Sequence, residues 1–305
     1  MPIKNQEKIA GFLIWWIPAM WSVNYWVAKN ALGIIDPHLL ASGRWALAGS
    51  ILVLISRHDI WQHRHHIQSV WHQYVVLGAL GMLICGAWVY LGARTTTAVN
   101  ISLIYAVSPV LIAVSSVWVL KERMVARQVL GVVIALVGVL HVVAKGQWFT
   151  LAQVEWVMGD FWILSAACSW SAYAVLQKKW TSPLGSTARL ACMCMGGILT
   201  LIPFTLWELT WPNSPPFSWT ALVMIVIVAL IPGIGAYGIY GWSQKVLGAS
   251  RVSVTLYLSP LWGAFIAWVA LNESLYAYHL IGAFLILPGV ALVMRKSTPL
   301  SLIHI

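Results

Sequence analysis

Residues 98–122, AVNISLIYAVSPVLIAVSSVWVLKE, and residues 249–273, ASRVSVTLYLSPLWGAFIAWVALNE, are two copies of one segment. A fixed shift of 151 carries Ala98, Ser102, Ser108, Pro109, Ala113, Leu120 and Glu122 onto Ala249, Ser253, Ser259, Pro260, Ala264, Leu271 and Glu273. The match continues downstream, where Gly131 and Gly138 fall on Gly282 and Gly289. Both copies lie inside long apolar runs, so the duplication predicts an internally symmetric membrane protein with a site between its halves.

Working outward, hydrophobic residues make up 60% of the 305-residue chain, charged residues 9%, and the mean hydropathy is +0.82. No polar surface could cover that composition in water, so the chain belongs in a bilayer. Apolar runs occur at 9–31, 38–56, 71–92, 97–120, 125–144, 156–177, 187–207, 217–241, 248–271 and 277–294. Each approaches the ~20 residues that span a hydrocarbon core. The expected fold is therefore an all-α membrane protein of ten transmembrane helices. The first run lacks a small-residue cleavage site before a polar mature domain and is not read as a signal peptide.

The net charge of +10 lies between the runs and does not indicate nucleic-acid binding. With the N-terminus inside, only Lys29, Arg44, Arg94 and Lys145 of the 18 basic residues fall on the outer side. That asymmetry follows the positive-inside rule and places both termini in the cytoplasm. Five helices per copy is an odd number, so the second copy, residues 148–305, is inverted relative to the first, residues 1–147. Cys85, Cys168, Cys192 and Cys194 read as packing residues without metal-ligand spacing. His58, His63, His65, His66 and His72 read as a solvated polar loop. No cofactor or metal is expected.

The first run contains Trp21-Ser22-Val23-Asn24, and Asp36-Pro37 and Arg44 follow. Each copy then closes with a Ser-Pro pair, a helix-end Glu and a Gly-x6-Gly run. In order and spacing this resembles the EamA-type branch of the drug/metabolite transporter superfamily across almost the whole chain, with Ser22 in place of the usual Gly. The resemblance implies two inverted five-helix halves around a central cavity. It also implies export of amino acids or other metabolites.

The residues support a site independently. Trp21, Asn24, Tyr25 and Ala28 share one helical face, and Trp170, Tyr173 and Gln177 form its counterpart in the second half. A polar group there belongs against protein or a water-filled cavity rather than lipid. Interface anchoring is the competing reading, favoured for Trp15, Trp16, Trp71, Trp148, Trp156 and Trp219. Trp88, Tyr105, Tyr237, Tyr240 and Tyr257 complete the candidate substrate contacts. Pro109 and Pro260 are expected as mid-helix kinks, serving structure or gating. Glycines around Pro232 predict a flexible or broken segment. Glu122 and Glu273 are expected to cap the helices that follow them, and with no carboxylate mid-span, uncoupled transport is the simpler expectation.

Arg44, Arg94 and the two lysines Lys29 and Lys178 are expected at the cavity mouths or snorkelling to the interface. Together these readings describe an inner-membrane exporter, a monomer or weak homo-oligomer. Its neutral, aromatic cavity would take a small substrate such as an amino acid. A cationic drug or nucleobase is the second reading, because aromatic faces bind both. A membrane sensor or scaffold is the alternative of another class, and no constellation suggests an enzyme.

Overall fold

A computed structural model of the chain describes residues 3–153, 156–271 and 274–295. Its helices, in order, are α1 (Ile3–Leu13), α2 (Ile17–Asn30), α3 (Pro37–Gln62), α4 (Arg64–Ser69), α5 (Trp71–Gly78), α6 (Trp88–Gly92), α7 (Ala98–Ala106) and α8 (Ser108–Leu120). They continue with α9 (Ala126–Val143), α10 (Met158–Lys179), α11 (Ser186–Glu208), α12 (Trp219–Val228), α13 (Tyr237–Leu247), α14 (Ala249–Ser253), α15 (Ser259–Leu271) and α16 (Ala277–Met294). Among the described residues there is no strand. Among those residues seven helical stretches are long and apolar enough to cross a bilayer: Pro37–Gln62, Trp71–Gly92, Asn100–Leu120, Ala126–Val143, Ser186–Glu208, Trp219–Leu247 and Ala277–Met294.

Prolines divide several of the expected runs. Pro18 occupies the first turn of α2, so the first run is broken between Leu13 and Ile17. Pro109 likewise sits in the first turn of α8, just beyond Val107, and Pro260 is the second residue of α15. In a first turn the missing N–H has no intrahelical partner to lose. Pro18 thus starts its helix, whereas Pro109 and Pro260 lie where one helical segment passes into the next, the backbone staying right-handed helical at Val107 and Ser259. The histidine-rich stretch is also helical, lying on the end of α3, on α4 and at the start of α5.

Residues Ala79–Ala87 join α5 to α6 as a π-helix, and Ala229–Ala236 join α12 to α13 in the same way. The segment around Pro232 is thus wound more widely and is not broken. A wider turn accommodates the absent proline N–H and leaves carbonyls open to other donors.

The pairing of helices reflects the duplication. The second run packs on the seventh, α3 on α11, and the fifth on the tenth, α9 on α16. A two-fold relation brings equivalent elements together in this way. Glycine makes the α9–α16 seam possible. A Cβ on Gly289 would lie 2.7 Å from Ala135 N and from Gly131 O, and one on Gly131 would lie 2.6 Å from Gly289 O. Gly138 and Gly282 meet the side chains of Ile286 and Val142 closely, so the Gly-x6-Gly motif brings backbone against backbone at Gly131 and Gly289 and seats side chains at the other two.

Five of the six described carboxylates, Asp36, Asp59, Glu122, Asp160 and Glu208, tie the bundle at its two ends. At one end Glu122 accepts from Ala249 N (3.2 Å), Ser250 N (3.3 Å) and Ser250 Oγ (2.6 Å). It therefore caps α14, a helix of the other half, and not the helix that follows it. Gly248, with φ of 93°, makes the turn that presents those amides. Asp59 accepts from Gly185 N at this same end. At the opposite end Asp36 pairs with Arg94 at 3.3 Å. Asp160 there accepts from Thr96, Asn100 and Val157 N. Glu208, fully buried, accepts from His38 N (2.7 Å) and Leu39 N (2.9 Å) and meets His38 Nδ1 at 2.9 Å. Glu155 and Glu273 lie outside the described residues.

Candidate functional site

Between the glycine seam and the α3–α11 pair, large rings hold the helices apart. Trp170 of α10 stacks on Tyr173 at 5.2 Å and meets Trp21 of α2 edge-on at 5.2 Å. It also touches Tyr240 at 4.9 Å and Tyr237 at 5.4 Å, both on α13. Trp45 of α3 closes the group 4.9 Å from Tyr237. The Tyr237 hydroxyl donates to Gly81 O at 2.7 Å, and Ser169 Oγ donates to Leu80 O at 2.8 Å. Both acceptors belong to the π-helical turn of the first half, so the opened carbonyls receive side chains from the second.

Beside the rings sits a buried cation. Arg44, 2% exposed, donates from Nη1 to Asn24 Oδ1 at 3.0 Å, and Tyr90 donates to the same oxygen at 2.6 Å. The guanidinium lies over the Trp45 ring, 4.4 Å from its centroid, and 5.6 Å from that of Tyr237. Such contacts help hold a desolvated Arg. Trp21, Asn24, Arg44, Cys85, Val89, Tyr105, Trp170, Tyr237 and Leu256 line a cavity of about 50 Å³. That is room for a few waters. Tyr105 and Leu256 are related by the 151 shift, and each is the residue whose carbonyl is denied an i+4 donor by Pro109 or Pro260.

A second cavity, about 130 Å³, opens at the end tied by Glu122 and is lined by Gln177, Lys178, Arg189, Gln244, Lys245 and Tyr237 among others. Lys178 donates to the carbonyls of Gln244 and Lys245, and Arg189 to those of Gln177 and Trp180. Tyr237 walls both cavities.

The structure sorts the expected site residues. Trp21, Asn24, Tyr105, Trp170 and Tyr237 line the central cavity, whereas Gln177 lines only the second. Tyr173, Tyr240 and Tyr257 are buried in the surrounding packing. Trp88 packs edge-on against Trp162 at 5.0 Å. The side chains of Tyr25 and Lys29 lie outside the described residues. Arg44 corrects two expectations: it neither snorkels nor sits at a mouth, and its charge makes the cavity lining cationic where a neutral one was expected. Its depth was readable, since it follows Pro37 by seven residues, about 10 Å along the helix. An ionisable residue at that depth is a functional candidate.

Comparison with known proteins agrees with this architecture. The EamA-like transporter family matches twice, over residues 9–144 and 157–295. YyaM of Bacillus subtilis (strain 168), an uncharacterized transporter, is 27% identical over 269 residues, covering 87% of this chain and 86% of that protein. The S-adenosylmethionine/S-adenosylhomocysteine transporter of Chlamydia muridarum (strain MoPn / Nigg) is 23% identical over 279 residues, 88% of this chain and 86% of its own. A solved crystal structure superposes with a TM-score of 0.72 at 17% identity, covering 94% of this chain and 96% of that one, and shows the shared fold. With both halves matched, the chain belongs to the EamA-like transporter family of the drug/metabolite transporter superfamily and is a multi-pass membrane transporter, not an enzyme.

Proposed function

We propose that the chain crosses the inner membrane ten times, as two inverted five-helix halves, residues 1–147 and 148–305, with both termini cytoplasmic. It exports a small apolar or aromatic amino acid by rocking the halves about the central cavity. The observation that carries this reading is the ring of Trp21, Trp170 and Tyr237 around a cavity that also presents Asn24 and Arg44. Aromatic walls take an apolar side chain, and the polar groups take the ends of an amino acid. Tyr237, which lines both, separates the central cavity from the second one. The second cavity is the cytoplasmic vestibule.

Uncoupled transport is part of the reading. The described buried carboxylates, Asp36, Asp160 and Glu208, sit at span ends and hold hydrogen-bond donors there, so none is placed to carry a proton across. The test is counterflow in proteoliposomes: vesicles loaded with L-tryptophan or L-leucine should accumulate the labelled amino acid without an ion gradient. No flux above empty vesicles would leave the sensor or scaffold reading instead. Orientation is tested with Gln62→Cys, which should resist impermeant thiol reagents added to intact cells.

The relative that carries S-adenosylmethionine favours a second reading, an amino acid bearing a purine. The same aromatic walls would stack the purine ring.

A further inference from the structure

The central cavity is rich in donors and short of acceptors. Arg44 Nε, Trp45 Nε1 and Trp170 Nε1 are buried N–H groups with no acceptor in the protein. Two of the three belong to side chains that line the cavity, and the third lies on the ring beneath the guanidinium. The side-chain acceptors of Arg44 are both neutral and both serve Nη1: Asn24 Oδ1 at 3.0 Å, which is shared with Tyr90, and the Tyr90 hydroxyl at 3.5 Å. Among the described residues no carboxylate forms an ion pair with Arg44; the ion pairs are His38–Glu208, His63–Asp59 and Arg94–Asp36.

A guanidinium cannot shed its proton. Buried without a counter-ion it carries a large desolvation cost, and unmet donors beside it add to that cost. Cation–π contact with Trp45 offsets part of it. An incoming anion would offset far more, and the flat fork of Arg suits a carboxylate held by two oxygens.

We infer that the solute carries a carboxylate, and that Arg44 is the group that binds it, with the indole N–H of Trp170 as a neighbouring donor. This rests on the central cavity being the transport site and names the chemistry that site selects. Asn24 is a positioning residue: its side-chain oxygen orients Nη1 and leaves Nε free to donate. Selectivity follows from charge. The carboxylate of an amino acid pairs with the guanidinium while the zwitterion adds no net charge, whereas an amine or cationic drug would bring a second, uncompensated positive charge into a low-dielectric pocket. The aromatic walls alone would admit such cations, so Arg44 is what excludes them.

The test compares L-tryptophan, its methyl ester and tryptamine on detergent-purified wild-type protein. Protection against thermal unfolding reads binding, and proteoliposome counterflow reads transport. The acid should protect and exchange, with the ester and the amine weaker by at least about tenfold, the size of one lost charge-assisted hydrogen bond. Arg44→Gln should abolish the preference for the acid, and Arg44→Lys should restore part of it. Equal protection by acid and ester in the wild type would overturn the inference while leaving the transport reading intact. Protection by the acid without exchange of any compound would uphold the anchor and overturn transport of aromatic amino acids. If no compound protected or exchanged, both would fall. Because the ligand comparison is made on wild-type protein, misfolding of an Arg44 variant does not remove the test.

Discussion

The α9–α16 seam and the central cavity are both built where equivalent parts of the two halves come together, yet one is closed and the other is not. Along the seam Gly131, Gly138, Gly282 and Gly289 leave out Cβ atoms that would clash with the facing helix. In the centre Trp21, Trp170 and Tyr237 do the reverse, and the space they leave is lined with N–H groups. Residue size thus divides one bundle into a closed seam and an open cavity, which the proposed mechanism uses as joint and binding space. A rigid joint is what lets two halves rock without separating.

The seam should break first. Gly289→Val places carbon against Ala135 N and Gly131 O, which are backbone atoms and cannot swing aside. The expected result is loss of monodisperse protein in size-exclusion chromatography. Gly263 has nothing within 4 Å of its Cβ position, so Gly263→Ala should leave the profile unchanged. If Gly289→Val behaved like Gly263→Ala, the seam would not be the joint.

In the centre the comparison sharpens within one cluster. Tyr173 is 1% exposed and packs under Trp170 and against Gly81, so Tyr173→Ala should cost stability, on the order of 3 kcal/mol, as for other buried aromatics. Asn24 faces the cavity, so Asn24→Ala should weaken substrate binding by about 1–2 kcal/mol, or roughly five- to thirty-fold. Melting curves and binding isotherms on the same preparations separate the two effects. A large affinity loss in a stable Tyr173→Ala protein would move that residue from the wall into the site.

The repeat, the apolar runs and the shared helical faces were legible because they are properties of spacing. The 151 shift carries Tyr105 onto Leu256, and both line the cavity. Spacing could not tell Gln177 from Asn24, since both project from a polar face and only the packing of α13 puts Gln177 in a different cavity. Nor could it show that Pro109 opens a new helical segment. That depends on how the preceding turn closes, and at Val107 it closes tightly, the N–H donating to Ile104 O three residues back at 3.2 Å. Glu122 was read as a cap, correctly in kind. Its partner lies 127 residues away in the sequence, across the interface between halves, where local pattern carries no signal.

Tyr237→Phe tests the wall between the two cavities. It removes one hydrogen bond, to Gly81 O, worth about 1 kcal/mol, and keeps the ring contacts. Exchange rates in counterflow should change while affinity stays near wild type. An affinity change without a rate change would make Tyr237 a ligand-binding group only.

The smallest effect is expected at Glu122, and it bears on energetics. The carboxylate meets the N-terminus of α14 and holds the halves together at one end of the bundle. Gln at this position keeps an acceptor oxygen but gives up the charge that favours a helix N-terminus, a difference of roughly 0.3–1 kcal/mol. Glu122→Gln should therefore lower yield or melting temperature slightly and leave turnover per molecule unchanged. Uptake should be the same with and without an imposed pH gradient, in wild type and variant alike, because the Glu122 carboxylate is engaged by two amides and a hydroxyl at a helix end. If wild-type uptake required the gradient and Glu122→Gln abolished that requirement, Glu122 would be the coupling group. Its contact with α14 would then be a step in the transport cycle, and the facilitator reading would fail.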